Sequence, residues 1–203
     1  MKEKRMKEIL DELKTHLVKH VDDYTPFPDP YIGKGPIKAI VLGADPSTKD
    51  KLRFRTVFDL GNDKRYFQGI EKNLNAIGLT IDNVYIQNFC QNYFDHTTYE
   101  NRKNWWRASG VWHHFIKEEL EGKFDGGIPI LATSDMIFRR LIHSDEKSPS
   151  YYYSNPDSVP ISAGLYPSDR KVFPFFRHWR YNLLRPEWAA YRKKLSKYFK
   201  VQS

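Results

Sequence analysis

Residues 37–42, Ile-Lys-Ala-Ile-Val-Leu, run directly into Gly43-Ala44-Asp45-Pro46-Ser47. A short apolar run stopped by a glycine reads as a buried strand of the kind found in parallel sheets. Upstream, residues 25–36 carry four prolines and two glycines and read as an irregular approach. Downstream, similar strands are expected at Asn83–Phe89, Ile128–Ala132 and Lys171–Phe176. Between them lie helical patterns at Tyr66–Ile77, stopped by Gly78, at Asn104–Glu121 and at Asp135–Ile142. A long loop is expected over about 45–64 and another over 144–169, the second with room for a hairpin. Met6, Ile9, Leu10, Leu13, Leu17, Val18 and Val21 recur at helical spacing, so residues 1–21 read as an amphipathic helix within an N-terminal segment 1–24. Pro186 fits the first turn of a basic closing helix, 186–200.

Strands alternating with helices imply right-handed crossovers and a parallel sheet covered on both faces. The expected fold is a single α/β domain over residues 1–203, three-layer α/β/α, with a short, mainly parallel four-stranded sheet. The 203 residues are enough to bury a core without disulfide or metal staples. The chain is 40% hydrophobic and 29% charged, with mean hydropathy −0.68, which excludes a disordered chain. No apolar run approaches the ~18 residues of a membrane span, and no secretory signal is expected from the charged first residues. The single cysteine, Cys90, excludes an internal disulfide and a multi-cysteine zinc or iron–sulfur site. The expectation is a cytoplasmic monomer with no metal and no cofactor.

The net charge is +8, and it is unevenly placed. Residues 170–203 hold ten basic side chains and one acid, Glu187, whereas the other 169 residues are nearly balanced. A localised basic surface fits a polyanion such as nucleic acid; the alternative is a solvated basic helix. In open parallel sheets, ligands bind beyond the carboxyl ends of the strands. At those ends stand Asp45, Asn88, Thr133 with Ser134, and Arg177 with His178. They supply a carboxylate, a carboxamide and an imidazole. Each also has a structural alternative: Asp45-Pro46 as a turn initiator, Asn88 as a strand cap, His178 as a surface histidine.

Together these residues resemble the uracil-DNA glycosylase superfamily. Gly43-Ala44-Asp45-Pro46-Ser47 is similar to its water-activating motif, Gly-Gln-Asp-Pro-Tyr-His in the best-known branch. Val84-Tyr85-Ile86-Gln87-Asn88 resembles the strand that ends in the base-reading asparagine. Thr56-Val57-Phe58-Asp59-Leu60 resembles the segment whose phenylalanine stacks on the flipped base, and Lys171–Trp179 the strand that ends in the catalytic histidine. The order agrees over about residues 35–185. The resemblance implies catalysis by Asp45 and His178, base contacts from Asn88, Phe58 and Ala44, and DNA contacts from Ser47, Ser134, Arg177, Trp179 and Arg180. Thr133 and Arg185 are further phosphate candidates, and Trp179, Tyr181 or Leu183 would fill the gap left by a flipped nucleotide. The implied activity is hydrolysis of the N-glycosidic bond of uracil or a related damaged base in DNA.

Three departures stand out. Ser47 and Thr48 replace the family's Tyr and His, which leaves exclusion of thymine open. Trp179-Arg180 follow His178 in place of Pro-Ser. Tyr166-Pro167-Ser168 offers a competing match, but it precedes the last strand and lacks an imidazole. Two rival readings remain: a non-catalytic nucleic-acid-binding module on the same fold, and a hydrolase of a small N-glycoside that has no need of the lysines at 193, 194 and 197.

Other signals are weaker. Gly33-Lys34-Gly35-Pro36 precedes a strand and is no phosphate loop. His113-His114 lack ligand partners at metal spacing. Cys90 reads as a buried thiol, Trp105-Trp106 as packing aromatics, and Tyr151-Tyr152-Tyr153 as either packing or stacking groups.

Overall fold

The apolar run before Gly43 forms strand β2, Ala39–Gly43, and all five of its residues are buried. A strand buried at every position has both of its faces covered. The computed structural model describes residues 2–16, 18–60, 66–144, 147–163 and 170–201. Three further strands fall where the sequence placed them: β3, Val84–Asn88; β4, Ile130–Ala132; and β6, Lys171–Pro174. These four are parallel, in the order β3-β2-β4-β6.

The sheet is nonetheless mixed, and it has six strands among the described residues. Two-residue strands close its edges antiparallel: β1, Tyr31–Ile32, on β3, and β5, Ile161–Ser162, on β6. This corrects the expected four-stranded sheet. Two residues are too few to show a period, and both edge strands sit in stretches rich in proline, glycine or serine.

The helices α2 (Gln68–Ala76), α3 (Arg102–Lys123) and α4 (Asp135–Ile142) occupy the expected stretches. In α3, Trp105, Ala108, Trp112, Ile116 and Leu120 form the buried stripe. Gly78, at φ +83°, takes the left-handed position that ends α2. The N-terminal helix α1 is shorter than expected. It spans Lys2–Thr15, and His20 at φ 61° turns the chain before Val21 bridges to Phe94. Within the interval 144–169, the described residues are not all loop. They include helix α5, Pro149–Ser154, in which Tyr152 and Tyr153 are buried. Tyr153 accepts the Phe176 N–H at 2.8 Å, so this aromatic run serves packing. Tyr166-Pro167-Ser168 lies outside the described residues, as does Leu17. Among the described residues, no helix is long and apolar enough to cross a membrane.

The basic C-terminal stretch divides in two. Arg170 is buried and donates to the carbonyls of Ile128 and Phe124, so it serves the core. A turn at Pro186–Trp188 leads into α6, Ala189–Val201, which buries Tyr191, Leu195 and Phe199. The Tyr191 hydroxyl donates to Pro174 O at the carboxyl end of β6, and Ser196 reaches Ala76 O at the far end of α2. α6 therefore runs away from the carboxyl edge of the sheet, and it carries Lys197 and Lys200 with it.

Candidate active site

The parallel register sets Gly43 beside Asn88 and Leu42 beside Ala132. Pairing continues beyond the strands: Phe89 N–H donates to Gly43 O, Cys90 N–H to Ala44 O, and Arg177 N–H to Thr133 O. The segments after all four parallel strands are thereby fixed around one opening. A cleft of about 460 Å³ lies there, within the range of small-ligand sites. Ala44, Asp45, Ser47, Phe58, Asn88, Ser134 and Arg177 all line it. The structure thus brings seven of the ten predicted site residues to one place.

The floor is built on Gly43. A methyl group there would stand 2.4 Å from Asn88 Oδ1 and 2.6 Å from Phe58 Cζ, so both side chains lie directly over the glycine. Asn88 is 2% exposed. Its backbone N–H donates to Gln87 Oε1, yet among the described residues its carboxamide has no hydrogen-bond partner. Buried carboxamides are normally paired, so this one is presented to whatever fills the cleft. Phe58 is 8% exposed and packs on Phe67 at 5.6 Å. Phe58 and Asp59 both adopt left-handed backbone angles, φ 55° and 56°. For side-chain-bearing residues that conformation costs on the order of 1–2 kcal/mol each. It is held by Asp59 N–H to Thr56 O, by Leu60 N–H to Val57 O, and by the Thr56 hydroxyl donating to Leu60 O. The strain turns the Phe58 ring onto the floor.

Asp45 starts a turn, as Asp-Pro does, and also lines the cleft. Its Oδ1 accepts the Ser47 N–H at 2.9 Å and its Oδ2 the Thr98 hydroxyl. Burial pushes its carboxyl above the usual range, while these donors and the Arg177 charge oppose the rise. Ser47 Oγ accepts the Phe94 N–H at 2.8 Å, which ties the turn to the segment after β3. Thr133 is buried and donates to Leu42 O at 2.8 Å, while Ser134 caps α4 by accepting the Ile137 N–H. The amino end of α4 therefore opens on the cleft and favours anions there.

His178, Trp179 and Arg180 are not among the lining residues. All three are exposed on the turn that follows Arg177. His178 Nδ1 accepts the Arg180 N–H at 3.3 Å, which in the neutral ring leaves the proton on Nε2. Trp179 is 66% exposed, with the Arg180 and Arg185 guanidinium groups 5.9 and 5.5 Å from its ring. Leu183 is fully buried and cannot act as a wedge; Tyr181 is half-buried against Tyr153, Phe176 and Trp188, and Trp179 is the most exposed of the three.

Sequence reasoning missed Phe54, Tyr66, Thr98 and Tyr99, which complete the wall. The Phe54 and Tyr66 rings pack at 5.2 Å, and Tyr99 is 92% exposed at the rim. No motif marks these residues. Thr98 and Tyr99 do lie in the connection after β3, where the strand-end rule points.

Cys90 is buried beside Asp45, and burial followed by that charge pushes its thiol up, so it is no nucleophile. His114 is an exposed partner of Glu118 at 3.1 Å, and His113 stacks on Phe89. Among the described residues, no group of three or more His, Cys, Asp or Glu is placed to hold a metal ion. Comparison with protein-family models gives no match, and none is found among curated proteins.

Proposed function

We propose that the cleft receives a nucleobase turned out of a DNA strand and that the protein hydrolyses its N-glycosidic bond, with uracil or a related damaged base as substrate. The observation that carries this reading is the Asn88 carboxamide. It belongs to a residue 2% exposed, makes no hydrogen bond to another described residue, lies over Gly43 beside the Phe58 ring, and faces the same cleft as Asp45. A carboxamide offers one donor face and one acceptor face, which suits the edge of a base, and an aromatic ring stacks on its plane. Extrusion into such a pocket is what chemistry on a stacked base requires.

In the reaction, the bond between C1′ and the base nitrogen breaks, and its electron pair leaves with the base. The sugar passes through an oxocarbenium-like state. Ionised Asp45 stabilises that cation and aligns a water whose oxygen bonds to C1′; the water's proton is lost and the base is protonated. Arg177 and the amino end of α4, with Ser134, suit the flanking phosphates. His178 would donate from Nε2 to the base oxygen where negative charge collects, which requires its turn to close over the cleft. If it does, His178→Ala slows base release by about a hundredfold. An unchanged rate removes His178 from the machinery.

The deciding experiment is a glycosylase assay over oligonucleotides carrying uracil, hypoxanthine, xanthine and mismatches. The expected product is an abasic, alkali-labile site. DNA binding that weakens with salt, without release of any base, would instead favour the non-catalytic module, the reading that the position of His178 outside the cleft supports.

Placement of the basic helix favours a second reading, hydrolysis of a small N-glycoside. α2 spans about 13 Å, and Ser196 contacts its far end, so Lys197 and Lys200 lie more than about one screening length from the cleft. Lys197→Glu with Lys200→Glu is therefore expected to change release from a short oligonucleotide by less than about twofold at physiological salt. That test does not separate the two substrates. Release from uridine or deoxyuridine at a rate matching the oligonucleotide does, and would favour the small one.

A further inference from the structure

The cleft's carboxylate is held by a residue from a distant part of the chain. Thr98 lies 53 positions beyond Asp45, in the connection from β3 to α3, and its hydroxyl donates to Asp45 Oδ2. Ser47 N–H takes the other oxygen. The turn that carries Thr98 is pinned in its own right. The Thr97 N–H and hydroxyl both donate to Glu100 Oε2, at 3.1 and 2.6 Å, and Asn101 N–H donates to Thr97 O at 3.0 Å. Both Thr97 and Thr98 line the cleft. A fixed donor therefore meets a carboxylate that has little solvent of its own.

We propose that Thr98 is the positioning residue for Asp45: its hydroxyl fixes the carboxylate's orientation and favours its charged form, leaving the remaining lone pairs to a water in the cleft. The identity of the reaction rests on the glycosylase reading; the positioning role does not. A hydrogen bond donated to a carboxylate favours the ionised state, whereas burial opposes it. The charged and titratable groups facing Asp45 are Arg177, from the segment after β6, and the Cys90 thiol, after β3; Lys49 and Asp50 line the same cleft. Of these, Arg177 supports the ionised form but makes no hydrogen bond to Asp45 among the described contacts, so the orientation falls to Thr98 and Ser47.

The test uses the full chain with Thr98→Val and Thr98→Ser. The Asp45 carboxyl carbon is followed by NMR through a pH titration, its resonance assigned with Asp45→Asn. Thr98→Val is expected to move the midpoint up by about one pH unit, and Thr98→Ser to leave it within a few tenths. Thr98→Ala serves as a second deletion of the hydroxyl if valine disturbs the turn. With an active substrate, the acid limb of the kcat profile moves by the same amount while KM holds. A midpoint unchanged in the hydroxyl-deleted variants, or a serine variant that titrates like valine, overturns the proposal. If no base is released by any variant, the reaction assignment fails but the titration still decides the role of Thr98.

Discussion

Asp45→Asn is expected to lower base release by at least about a hundredfold and, at neutral pH, to raise the melting temperature. The loss follows from charge. An amide keeps the size of the side chain and still accepts the Ser47 N–H, and its NH2 can donate to the Thr98 hydroxyl oxygen, so the cleft keeps its shape. What disappears is the negative charge that, in the proposed reaction, would face the cationic sugar and order the attacking water. The gain in stability follows from burial, which holds the folded-state carboxyl above its ordinary value despite Thr98, Ser47 and Arg177. A raised carboxyl contributes to stability while it is protonated in both states, below its unfolded value. That contribution is lost as pH climbs through the folded value. Above the folded value wild type carries the full cost, and the asparagine variant carries none. The gap between the two melting curves should therefore close as pH is lowered towards 4. Functional groups held at the expense of stability are a common feature of active sites. A variant that melts below wild type at pH 7, or one that keeps full activity, contradicts the role given to Asp45.

Gly43→Ala is expected to remove base binding and to destabilise the fold by about 1–3 kcal/mol, the usual range for overpacking. The new methyl would stand 2.4 Å from Asn88 Oδ1 and 2.6 and 3.0 Å from two carbons of the Phe58 ring. Neither neighbour gives way easily. Phe58 is held by a left-handed backbone and by Phe67, and Asn88 ends a strand whose ladder is complete. On the proposed reading, a shift of Phe58 takes the stacking surface with it, and a rotation of the Asn88 amide leaves the base edge without its partner. Denaturant unfolding reports the first cost, and titration with an abasic or uracil-containing oligonucleotide reports the second. A variant that binds and unfolds like wild type would show that neither side chain forms the floor.

The strand before Gly43 was readable because a fully buried parallel strand is apolar at nearly every position, and that pattern survives in one dimension. Asp45 and Asn88 were readable because the carboxyl ends of such strands are where ligands bind. The edge strands at Tyr31 and Ile161 were not, since two residues carry no period. The end of α1 at Thr15 was not, because apolar residues continue to Val21 while His20 breaks the backbone direction. Thr98 had no signal beyond its place after a strand, and the exposure of His178 depends on where the chain turns after Arg177.

The sequence by itself determined the α/β class, the four parallel strands and the segments that meet at their carboxyl ends, because burial periodicity and glycine or proline stops are local properties. Tertiary structure decided which of those residues share a cleft. It put Phe58 and Asn88 over Gly43, brought Thr98 to Asp45, buried Arg170 and Leu183, left His178 and Trp179 on an outer turn, and carried Lys197 and Lys200 of α6 away from the carboxyl edge of the sheet. Those outcomes depend on strand register and chain direction, which arise only when segments far apart in sequence pack against one another.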